Sequence, residues 1–186
     1  AKTAGTTAIV GDNPVVAKKD AAKADVETAR KAKEDAIKAN PNLTQAEKDA
    51  AIAKNNTAAA EATKAIDSAT TNDAVDQAKT AGTGEIAKVN PVAKEAAKKA
   101  IADELAKKEE AINGRTDLTD EEKAAAKKDA QDKAKEATDA INAQPDNAAT
   151  PEEAEKAQTA VNGAKDKGVA DVKAVNPVAK EAAKKA

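Results

Sequence analysis

The sequence predicts an all-α fold, tandem three-helix bundles arranged end to end as an elongated rod. Three observations lead there: a long internal repeat, helix-start motifs at matching places in each copy, and apolar residues recurring at helical spacing. The string NPVAKEAAKKA stands at 90–100 and again, unchanged, at 176–186, while Asn13-Pro14-Val15 opens a diverged copy. Residues 13–89 and 90–175 are therefore read as two full repeats. Residues 1–12 read as the end of a preceding copy, because AKTAG at 1–5 recurs at 78–82, and 176–186 read as the start of a following one.

Each repeat divides into three helical segments. In the second copy Asn90 is placed to cap a helix whose first residue is Pro91. Proline tolerates the first helical position, and the residue before it is pushed out of the α region, where an N-cap belongs. The same pairing is expected at Asn13-Pro14 and Asn176-Pro177. Ala97, Ile101, Leu105 and Ile112 share one face of this helix. Gly114 is expected to end it in a left-handed conformation.

The second helix starts at a capping box, Thr119-x-x-Glu122, matched by Thr44-x-x-Glu47, each preceded by leucine at Leu118 and Leu43. Its inward face in the second copy is Ala126, Ala130, Ala134, Ala137 and Ile141, which predicts close helix approach. The third helix starts at Thr150-Pro151-Glu152-Glu153 and near Thr71. Its seam, Val75, Ala78, Gly82, Ile86 and Val89, returns as Val161, Ala164, Gly168, Val172 and Val175 with identical spacing. Gly5, Gly82 and Gly168 are read as close-packing positions. The copies differ by two residues in the first segment and by an insertion of about 11 between Ile141 and Val161, read as a longer loop and extra helical turns.

Three helices of about 20–25 residues make an up-down-up bundle roughly 35 Å long. An odd helix number brings the chain in at one end and out at the other, so tandem copies extend. With Val89 closing one bundle and Asn90-Pro91 opening the next, the linker is nearly absent. If Asn90 and Asn176 stayed helical before their prolines, the third helix would instead run with a kink into the next bundle.

Composition narrows the chemistry. There is no His, Cys, Met, Phe, Tyr or Trp in the 186 residues. The usual general bases, thiol nucleophiles and soft metal ligands are thus missing, and no cofactor or metal is expected. Paired carboxylates such as Glu109-Glu110 and Glu121-Glu122 are read as a solvated face among lysines. Gly82-x-Gly84 lacks the remainder of a phosphate loop. The 31 basic residues are balanced by 33 acidic ones in fine alternation, and no aromatic is present to stack on a base, so nucleic acid is not an expected partner. Long apolar runs are absent, which argues against membrane insertion, and Ala-rich seams give little to a membrane surface. Val, Ile and Leu number only 23, a share that by itself favours disorder. Near-zero net charge, strong helix formers and matched caps argue for folded helices.

The opening NPVAKEAAKKAI, the central L-T-x-x-E-K at Leu43–Lys48 and Leu118–Lys123, and the closing G-x-x-x-V-x-x-V at Gly168–Val175 resemble the DUF1542 repeats of Gram-positive surface proteins, across essentially the whole chain. The resemblance implies an extracellular, cell-wall-anchored adhesin or biofilm-associated protein, anchored through a region outside this sequence, with these repeats as its monomeric stalk. The family brings no functional residues to transfer. The expected partners are adjacent repeats of the same chain. The alternative is a three-helix module that itself captures a host protein of the albumin or immunoglobulin kind. Binding hot spots favour Trp, Tyr and Arg, and only Arg30 and Arg115 are present.

Overall fold

The structure, a computed structural model, describes residues 14–180. The expectations for 1–12, Gly5, Asn13 and 181–186 lie outside the described residues. Six helices carry the described chain: α1 (Pro14–Ala39), α2 (Gln45–Ser68), α3 (Asn72–Ala87), α4 (Glu95–Asn113), α5 (Asp120–Asn142) and α6 (Pro151–Ala174). Two two-residue strands, β1 (Asn90–Pro91) and β2 (Asn147–Ala148), pair in a minimal sheet. The described residues fall into two compact units, one of residues 14–41 and 48–90, the other of 42–47 and 91–180.

In the first unit, side-chain contacts give the helix directions. Lys18 pairs with Asp76 at 2.5 Å and Lys79 with Asp25 at 3.2 Å, so α1 and α3 run parallel. Lys23 pairs with Asp67 at 3.1 Å and Arg30 donates to Asn56 at 3.0 Å, so α2 runs against them. The core is Ala22 and Val26 from α1, Ala59, Ala62 and Ile66 from α2, and Val75 and Ile86 from α3. Ile66 and Val75 are wholly buried, each removing about 1.5–3 kcal/mol of apolar side chain from water.

The second unit repeats the arrangement. Gln131 of α5 donates to Glu109 of α4 at 2.6 Å, and Lys108 of α4 reaches the Lys173 carbonyl at the end of α6 at 2.7 Å. The alanine face of α5 is buried along its length from Ala126 to Ile141, against Ile101 and Ile112 of α4 and Val161 and Val172 of α6. Small side chains allow short distances between helix axes, and the isoleucines and valines fill what remains.

Two expectations are corrected. Asn90 and Pro91 do not cap and open α4, which starts at Glu95; they form β1, and the four residues from Pro91 to Lys94 lie outside any helix. Asn176 and Pro177 likewise lie outside helix, and α6 stops at Ala174, so no kinked helix runs through either junction. Pro14, in contrast, does open α1. Gly114 does not adopt a left-handed cap: its φ is −70°, and no described residue has positive φ. Its amide continues the right-handed turn by bonding Glu110 O at 3.0 Å.

Candidate functional site

The residues singled out by the sequence fall in three kinds of place: helix starts, helix-helix contacts and the segments joining one copy to the next. At the starts, the Thr119 hydroxyl accepts from Glu122 N at 3.2 Å and Glu122 accepts from Thr119 N at 3.0 Å, a complete capping box. Thr44 and Glu47 form the same reciprocal pair, at 3.3 and 2.8 Å. Thr71 and Thr150 accept from the amides three residues on. Glu153 returns its bond to Ala149 N rather than to Thr150 N, so that box is displaced by one residue. Thr71, Thr119 and Thr150 are in extended conformation, and at every one of these starts a threonine meets donors that have no partner within the helix.

Gly82 and Gly168 sit where helices touch. A Cβ built on Gly82 would stand 2.2 Å from Ala62 Cβ and 3.2 Å from its Cα, and one on Gly168 would stand 2.3 Å from Ala137 Cβ. Gly84 and Gly163, also helical, have nothing within 4 Å of that position.

Asn90 works at the end of α3 instead of the start of α4. Its side-chain amide donates to Ala87 O at 2.9 Å, and Lys33 of α1 donates to the same carbonyl at 3.3 Å and to Asn90 Oδ1 at 3.1 Å. At the matching place in the second unit Lys108 donates to Lys173 O and Val175 O, at 2.7 and 2.9 Å. A cation thus closes the carbonyl end of the third helix in both copies, where unpaired acceptors and the helix dipole favour it. Burial lowers the Lys33 ammonium below its ordinary pKa. Sequence reasoning missed this pair; the signal was a lysine at equivalent positions 33 and 108 on the rim of an otherwise apolar face.

The segment 91–94 is held by the connection between α5 and α6. Val92 N donates to Asp146 O at 3.0 Å, and Ala93 exchanges bonds with the Gln158 side chain, at 2.8 Å through its amide and 3.0 Å through its carbonyl. Lys94 is only 7% exposed, and its ammonium meets Asn142 O, Gln144 O and Asp146 Oδ1 at 3.3, 2.7 and 2.8 Å. All three donors of the buried ammonium have acceptors, which is what lets a charge remain there. The inserted residues of the second copy therefore build a receiver for this segment, a role the sequence reading did not assign. Val178, the counterpart of Val92 in the second NPVAK, is 67% exposed.

Ion pairs lie along the outer faces. Hydrogen bonding from Arg30 holds the Glu27 carboxyl down at about 2, and Arg115 does the same for Asp117, again at about 2. Glu34, bonded by Lys38 and Arg30, is also lowered. Inside the first unit one polar side chain interrupts the seam of α2: Asn55, wholly buried, donates to Arg30 O at 2.8 Å while its Oδ1 has no partner. No group of three or more metal-type ligands occurs among the described residues, and no described helix is long and apolar enough to cross a membrane.

What these features define is a tandem helical repeat, each copy an up-down-up bundle with capped starts and cation-closed ends. The comparison with protein families finds such a repeat: the model of the Domain of Unknown Function DUF1542 matches twice, over residues 18–94 and 93–180. The chain belongs to the DUF1542 family. No curated protein and no solved structure matches it.

Proposed function

We propose that the chain is a structural spacer, a stalk segment of a bacterial surface protein that projects a distal binding region from the cell wall, and that it has no catalytic role. The observation that carries this reading is the helix direction within each bundle. With α1 parallel to α3 and α4 parallel to α6, the chain comes into a three-helix unit at one end and goes out at the other. Repetition of such a unit adds length. The outer faces support the reading through finely alternating charge with a net of −2, suited to a solvated shaft. The extracellular, wall-anchored setting rests on what the surface-protein family implies.

Small-angle scattering from the 186-residue chain tests it. A distance distribution with the long asymmetric tail of a rod is expected. A compact globular profile, or that of two freely jointed beads, would overturn the spacer reading. Saturable capture of one plasma protein by this chain would replace it with a binding module.

A further inference from the structure

The glutamate of the central motif has two oxygens, and they serve different helices. Glu47 Oε2 accepts from Thr44 N and Thr44 Oγ1, both at 2.8 Å, closing the start of α2. Its Oε1 accepts from Lys94 N at 2.7 Å and Glu95 N at 3.0 Å, the amides that open α4. Residues 42–47 belong with 91–180 in one compact unit, so these bonds lie inside it. The second copy divides its carboxylate the same way: Glu122 Oε2 takes Thr119 N at 3.0 Å and Oε1 takes Lys180 N at 2.7 Å. Lys94 and Lys180 occupy the same place in identical NPVAK segments.

The need for an outside acceptor is plain from α4 itself. Its N-cap residue is Lys94, which makes no side-chain cap bond. A lysine there offers no acceptor to the first amides and adds positive charge to the positive end of the helix dipole. A carboxylate from elsewhere corrects both defects at once. The Glu47 carboxyl bears the trace: burial pushes its pKa up, but hydrogen bonds from Lys94, Glu95 and Thr44 more than offset this and leave it below the ordinary value.

We propose that the glutamate of each L-T-x-x-E motif is a shared N-cap: one oxygen closes its own helix, and the other receives the NPVAK segment that follows its copy and fixes where the next helix begins. Glu47 thereby places the start of α4 at Glu95 and not at Pro91. Glu122 Oε1 correspondingly receives the amide of Lys180, which stands in the same NPVAK sequence.

Residue-resolved amide hydrogen exchange on the full 186-residue chain tests the proposal, comparing Glu47→Ala with Thr44→Ala. In Glu47→Ala the Lys94 and Glu95 amides are expected to exchange roughly tenfold faster, the loss of about one hydrogen bond each. In Thr44→Ala, which damages the start of α2 alone, they should stay within about twofold of the parent. Glu122→Ala should free the Lys180 amide in the same way. Unchanged protection of Lys94 and Glu95 in Glu47→Ala, or equal loss in Thr44→Ala, overturns the shared cap. Glu47→Gln serves if the alanine variant fails to fold: its one carbonyl oxygen satisfies only one helix, so protection kept at both Thr44 and Lys94–Glu95 would also overturn it.

Discussion

Pro14-Val15 in the first copy leads straight into a helix of 26 residues, whereas Pro91-Val92 in the second stays extended and its helix, 19 residues long, waits until Glu95. Nothing in the dipeptide separates the two outcomes. The surroundings do: residues 69–71 join α2 to α3, but 143–150 join α5 to α6, and this longer connection presents acceptors to Val92 N and the Lys94 ammonium while Glu47 Oε1 receives the Lys94 and Glu95 amides. The identical segment at 176–180, whose Val178 is exposed, is also outside helix, and its Lys180 amide donates to Glu122 Oε1. Where a proline-led segment begins its helix is thus decided by tertiary partners, with local preference only permitting either answer.

The two copies offer matched sites on which to break this comparison. The largest effect is expected at the glycines. Leucine at Gly82 or Gly168 should unfold the unit that carries it, read as loss of one thermal transition. Alanine at either should cost about 1–3 kcal/mol from overpacking. Gly82→Ala should cost the more, because its Cβ also meets the backbone of Ala62 at 3.2 Å, while the three nearest atoms at Gly168 are all side chain. Equal unfolding temperatures for parent and Gly82→Ala would show the helices are not in contact there.

Next in size, Lys94→Ala leaves three acceptors without their donor and should lower stability to chemical denaturation by about 1–3 kcal/mol. Lys180→Ala, at the same place in the exposed copy, should stay within about 0.5 kcal/mol of the parent. Similar losses at both positions would remove the role given to the inserted connection. Smaller and opposite in sign, Gly84→Ala and Gly163→Ala should each stabilise by about 0.5–1 kcal/mol, since neither new methyl meets an atom within 4 Å.

The smallest effect is electrostatic. Glu27 and Asp117 have folded pKa values of about 2, below the ordinary 4.5 and 3.8. Their contribution to stability is therefore full above those ordinary values and is lost as pH falls toward about 2. Both are solvent-exposed and screened by salt. Carboxyl resonances of Glu27 and Asp117 should titrate near the same low pH, one in each unit; a midpoint near 4.5 for Glu27 would show that the Arg30 contact does not persist in solution.

Much of the fold was legible because its signals are local or periodic. Thr44-x-x-Glu47, Thr119-x-x-Glu122 and the alanine face from Ala126 to Ile141 each declare a helix start or a buried stripe within a few residues. The junction was not legible, since Asn90 reads as an N-cap before proline and only the carbonyl at the end of α3 shows it working at the other helix terminus. Lys94 reads as one lysine among many until the carbonyl groups of 142–146 surround it. Asn55 was hidden for a related reason: it occupies the place of Ala130 in a seam, and a polarity pattern assigns such a residue to the surface.

The account rests on the chain leaving each bundle at the end opposite to where it arrives. The chain has no native cysteine, so spin labels on Val16→Cys and Lys88→Cys report on the first unit alone by pulsed dipolar spectroscopy. A separation of about 25 Å is predicted, the rise of some 17 helical residues from Val16 to the level of Lys33, which bonds the carbonyl end of α3; a separation of about 10–15 Å would contradict the account.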